Sequence, residues 1–126
     1  MITIRPLLAL AFASAIGAAA AQAPAPGFDA LKGSWVRPDG GYMIAIRDVA
    51  PSGQIDALYF NPTRLPFAKA QATRDGAKVR LFFELQAGHY NGSTYDLTYD
   101  AAKNQLVGTY YQAVAKQKFS VFFERR

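Results

Sequence analysis

The one histidine of the chain, His89, lies in the segment QAGHYNG, four residues before Ser93. A hydrolytic site needs a nucleophile, a base within reach of it and a group that orients the base. This pair is the nearest approach to one. The histidine stands beside turn glycines, where a side chain is solvated, and Ser93 opens a strand, so the pair reads as turn chemistry. A single histidine in a chain without cysteine also falls short of the three or four nitrogen or sulfur ligands of a zinc site, and no metal is expected. In STYDLTYD, Tyr95, Leu97 and Tyr99 share one face of a strand. Asp96 then points to water and Asp100 begins the next turn, so the two acids are not a catalytic pair. Phosphate loops of GxGxxG or Walker spacing do not occur, and the glycines of RPDGG turn a hairpin. The expectation is a protein that is not an enzyme and holds no cofactor.

The aromatic residues carry more information. Seven tyrosines and nine phenylalanines lie mostly on alternating segments, and three adjacent pairs stand out: Phe82-Phe83, Tyr110-Tyr111 and Phe122-Phe123. Neighbours on a strand point to opposite faces, so each pair sends one ring outward. Exposed rings of this kind are either a partner surface or isolated side chains of no consequence.

These residues must be positioned by strands. From Gly33 onward the pattern is of period two, broken by turn residues roughly every 8 to 12 positions. Eight strands are expected, over residues 33–37, 42–49, 54–61, 67–74, 78–85, 93–99, 105–114 and 118–125. They are separated by RPDGG, VAPSG, NPTRLP, RDGA, QAGHYNG, DAAKN and AVAKQ, turn chemistry throughout. Short consecutive strands without a crossover helix predict an antiparallel up-and-down meander, and eight can close into a barrel without free edges. An open two-sheet sandwich is the alternative.

Residues 1–21 have one cation, Arg5, an apolar run from Leu7 and then small residues in A-x-A frames, the pattern of a secretory signal peptide. The run is shorter than the roughly 20 apolar residues of a membrane span. Cleavage after Ala21 leaves 105 of the 126 residues, enough for one small domain: a linker and covering segment over 22–32 and the barrel over 33–126. The expected location is periplasmic or secreted. Losing Arg5 lowers the basic count from 14 to 13 against 9 acids, a net charge of +4. The cations are scattered and form no nucleic-acid arm, and the mature chain has no membrane span.

In an up-and-down barrel alternate loops share an end. RPDGG, NPTRLP, QAGHYNG and AVAKQ therefore form one end, the mouth, while the tighter turns VAPSG, RDGA and DAAKN share the other with both termini. A ligand at the mouth would meet Arg37, Tyr42, Tyr59, Arg64, His89 and Tyr95.

Gly33-Ser34-Trp35, on the first strand after a short covering segment, resembles the G-x-W signature of the calycins, the group of lipocalins and avidins. The resemblance implies that Trp35 plugs the closed end, with a basic side chain of the last strand, Arg125 or Arg126, packed across it. Such a cation–π contact is worth roughly 0.5 to 2 kcal/mol. The chain lacks the lipocalin flanking helix and T-D-Y motif and the further tryptophans that avidins place around biotin. It is also similar to small exported bacterial proteins, a likeness that carries no activity.

Two functions follow. One is a lipocalin-like binding module for a small amphipathic ligand, anionic because the mouth collects Arg37, Arg64, Lys69, Lys116 and Lys118 against Asp39 and Glu84. The other is a filled barrel that meets a protein through its outer rings, as an inhibitor, accessory subunit or homodimer. Eight strands suit either.

Overall fold

A computed structural model describes residues 27–126 apart from Ala87. The signal-peptide boundary at Ala21 and the first part of the covering segment lie outside the described residues. The segment reaches the fold as a 3-10 turn, Phe28–Leu31, with Leu31 buried.

Nine strands follow: β1 Gly33–Val36, β2 Met43–Val49, β3 Ile55–Phe60, β4 Arg64–Leu65, β5 Phe67–Asp75, β6 Lys78–Leu85, β7 Thr94–Asp100, β8 Gln105–Gln112 and β9 Gln117–Arg125. They form one sheet in the order β4-β3-β2-β1-β9-β8-β7-β6-β5, and every pairing is antiparallel. The architecture is a nearly closed all-β barrel. The sequence expectation of eight strands is corrected to nine. The addition is β4, two residues of NPTRLP that fold back on β3 with Tyr59 opposite Leu65 and Phe60 opposite Arg64. Its shortness hid it, since two residues between prolines show no alternation.

The first and last strands seal one side, with Trp35 opposite Arg125. The remaining seam, between β3 and β5, is closed by a single bridge, Gln54 to Gln71. Gly53 makes that bridge: its carbonyl accepts from the Ala72 N–H at 2.7 Å, its φ is +94°, and a Cβ there would stand 2.0 Å from the Ala72 oxygen. No other residue tolerates both the left-handed backbone and the close approach. Gly53→Ala is expected to cost about 1 to 3 kcal/mol. Urea denaturation should report the loss, and hydrogen exchange should show the Ala72 amide losing protection first. An unchanged midpoint would mean that the bridge does not hold the seam.

The alternation fills the interior. Trp35, Ile44, Tyr59, Leu81, Phe83, Leu85, Tyr95, Leu97, Leu106 and Phe123 are fully buried. Of the adjacent pairs, Phe83, Tyr110 and Phe123 turn inward, while Phe82 and Tyr111 are half-buried outside and Phe122 is exposed.

Candidate functional site

At the closed end Trp35 donates from Nε1 to the Leu31 carbonyl at 2.9 Å and meets Tyr99 edge-on with centroids 6.0 Å apart. The Arg125 guanidinium lies over its ring, 4.1 Å from the centroid, and donates to the carbonyls of Lys32 and Ala30 and to Asn104 Oδ1. Arg126 is exposed, and only its backbone N–H reaches back, to Ser34. This end is therefore a plug, tied to the covering turn and to the β7–β8 turn by one arginine.

The opposite end holds a pocket of about 220 Å³ lined by Arg37, Tyr42, Tyr59, Asn61, Tyr90, Tyr110, Gln112 and Phe119. Its residues come from RPDGG, the end of β3, QAGHYNG and the ends of β8 and β9, the loops that alternate connectivity brings to one end. At its centre is Arg37, which the sequence places on an exposed loop. The structure buries it to 8% exposure, because the residue sits at the start of a tight turn: its N–H donates to Tyr42 O and its carbonyl accepts from Gly41. The guanidinium turns back over the barrel opening, 4.6 Å from the Tyr42 centroid and 5.6 Å from that of Tyr110. Nε and Nη2 donate to the two oxygens of Asp39 at 3.0 and 2.7 Å, and Nη1 donates to the Tyr95 hydroxyl at 2.9 Å. That hydroxyl is 2.8 Å from the Tyr59 hydroxyl.

The electrostatics follow from this packing. Burial alone would lower the Arg37 pKa, but the Asp39 carboxylate and the Tyr95 oxygen outweigh it and the net shift is upward. The hydrogen bond from Arg37 in turn holds Asp39 below the ordinary carboxyl value. Burial pushes the Tyr95 hydroxyl up to about 12, against the pull of the Tyr59 hydrogen bond and the Arg37 charge. Burial likewise raises Tyr59 and Tyr110. All three phenols are neutral at pH 7.

A phenol whose folded pKa lies above its unfolded value keeps its full contribution to stability below about pH 10, and loses it as pH rises through the folded value. In an ultraviolet titration, Tyr59, Tyr95 and Tyr110 should therefore ionise only together with loss of near-UV circular dichroism. Ionisation of all seven tyrosines near pH 10 with the fold intact would contradict this.

The other expected site residues separate. Tyr42 and Tyr59 line the pocket. Tyr95 is completely buried beneath it and acts on it through its hydroxyl. Arg64 is exposed on β4 and does not belong to the described lining. His89 lies in a 3-10 turn, Gly88–Tyr90, but its side chain is outside the described part of the structure. Ser93 is buried, its Oγ accepting from the Ala113 N–H at 3.0 Å, so it is a loop anchor. Asp96 pairs with Arg80 on the outer surface, and Asp100 caps the following turn through the Lys103 N–H. Among the described residues no cluster of histidine, aspartate or glutamate is placed to hold a metal ion.

Asn61, Tyr90, Tyr110, Gln112 and Phe119 were not singled out from sequence as pocket residues. The signal that finds them is the alternate-loop rule, since Asn61 and Tyr90 lie in mouth loops and Tyr110, Gln112 and Phe119 lie on β8 and β9 within three residues of AVAKQ. No family model, no curated protein and no solved structure matches the chain. The pocket must therefore be read from its own chemistry.

Proposed function

We propose that the protein is an exported, lipocalin-like binding module that takes one small amphipathic ligand in the pocket at the mouth of its barrel. The observation that carries this reading is convergence: five aromatic rings and the polar groups of Arg37, Asn61 and Gln112 surround one pocket. Binding sites combine an apolar lining with a few placed polar groups in this way. The interior below is packed with side chains, so the ligand sits at the mouth and does not penetrate the barrel. The packed plug of Trp35 and Arg125 supports the likeness to calycins, and the leader pattern of residues 1–21 supports export. An anionic head depends on the exposed rim cations Arg64, Lys116 and Lys118, because Asp39 already claims the charge of Arg37. Its affinity should then weaken with salt.

A second reading has an observation of its own. Val107 and Phe122 face one another across β8 and β9 and are each 41% exposed, a patch on which a protein partner or second copy could rest. Native mass spectrometry of the protein purified from its export compartment separates the two. A monomer with a retained small molecule is expected. A bare chain that is dimeric or bound to another protein would favour the outer patch.

A further inference from the structure

The hydroxyls of Tyr59 and Tyr95 have two protons and one hydrogen bond between them. Arg37 Nη1 donates to the Tyr95 oxygen, so one lone pair there is occupied, and the adjacent positive charge turns the Tyr95 proton away, toward the Tyr59 oxygen. The Tyr59 proton then has no acceptor among the described residues. If the pair is reversed, the Tyr95 proton is left over instead, so one phenolic donor is unused in either arrangement. Tyr59 is 1% exposed, and a buried donor without a partner costs roughly 1 to 3 kcal/mol. Of the two residues, Tyr59 lines the pocket and Tyr95 does not.

Resting on the binding reading above, we infer that the pocket takes a single aromatic ring bearing an oxygen acceptor, a carbonyl or carboxylate, which receives the Tyr59 hydroxyl proton while the ring packs among Tyr42, Tyr110 and Phe119. The size agrees: a cavity of about 150 Å³ accommodates benzene, and this pocket measures about 220 Å³. Tyr42 lies nearly parallel to Tyr59, and Tyr110 nearly parallel to Phe119, so flat faces border the space. The Arg37–Asp39 pair contributes no net charge, so the acceptor is selected by the Tyr59 hydroxyl and not by a free cation. Arg37 acts as a positioning residue by fixing the direction of the two-phenol relay.

The test uses the purified full-length mature protein and four probes followed by NMR titration: benzamide, benzoate, toluene and cyclohexanecarboxamide. Benzamide and benzoate are expected to bind about tenfold or more tighter than toluene, as a hydrogen bond to a buried donor requires, and benzamide tighter than cyclohexanecarboxamide. Benzoate binding better than benzamide, with salt dependence, identifies the charged form of the acceptor, and parity identifies the neutral one; both agree with the inference. Tyr59→Phe should erase the advantage over toluene while leaving toluene binding unchanged; the melting temperature should fall modestly, because the variant removes the Tyr59 donor but also leaves the Tyr95 proton without its acceptor. Should that variant not fold, the probe series on the unaltered chain decides alone. Equal affinity for toluene, or for the saturated ring, overturns the inference. If none of the four binds but a molecule of other chemistry is retained in native mass spectrometry, the ligand class is wrong and the binding reading survives. If nothing binds and nothing is retained, both fall.

Discussion

Trp35→Ala is expected to destabilise the protein by about 3 to 5 kcal/mol, the cost of truncating a large core aromatic, and in a domain of this size that approaches the whole of its stability. The indole is completely buried. It also satisfies the Leu31 carbonyl and supplies the ring on which Arg125 rests. Removing it releases the covering turn Phe28–Leu31, because Arg125 holds that turn by its carbonyls only while the guanidinium is stacked in place. Trp35→Phe should recover much of the packing but leave the Leu31 carbonyl unpaired, for a cost of roughly 1 to 3 kcal/mol. Urea denaturation of the three proteins checks the order. A loss below about 2 kcal/mol in the alanine variant would mean that the covering turn is held from elsewhere. No cysteine is available to brace it.

The legibility of this fold follows from where period-two alternation is strong. β6 runs Val79, Leu81, Phe83 and Leu85 inward without interruption, and β7 and β9 read as plainly, so their existence and facing are visible in the residues themselves. β4 is not, because two residues between prolines carry no period and its pairing with β3 is decided by how the loop folds. The mouth was legible as a place, since alternate loops must share an end. Its electrostatics were not, because charge counting treats Arg37 as a loop cation free to meet solvent. The chain instead turns immediately at Pro38, and the nearest apolar ground for the side chain is the barrel opening, where Tyr42, Tyr95 and Tyr110 present their rings. A long arginine stem buries well against such rings. The carboxylate that makes its burial tolerable stands only two residues along, a spacing visible in RPDGG but uninformative until the turn brings it round.

That arrangement predicts an asymmetry between two substitutions. Asp39→Ala is expected to cost about 2 to 3 kcal/mol, less than stranding one member of a fully buried ion pair because the carboxylate is half in water, yet substantial because the guanidinium is left 8% exposed with only Tyr95 and the ring faces for company. Arg37→Met should cost less, about 1 to 2 kcal/mol. It removes the charge together with its desolvation penalty and leaves a stem of similar length between Tyr42 and Tyr110. Asp39, which is more than half exposed, simply returns to water. The Tyr95 hydroxyl keeps its bond to Tyr59. Acid should narrow the difference between the unaltered protein and Asp39→Ala. The Asp39 pKa is lowered in the fold from 3.8, so its stabilisation is complete above that value and is lost as pH falls through the folded one. Urea midpoints at neutral pH and near pH 2 measure both effects. If Arg37→Met proves the more damaging at neutral pH, the guanidinium is held by its rings and by Tyr95, and Asp39 is an accessory to it. The salt dependence proposed for ligand binding would then be steeper, because a guanidinium not spoken for by Asp39 is a charge that the pocket can offer to an anion.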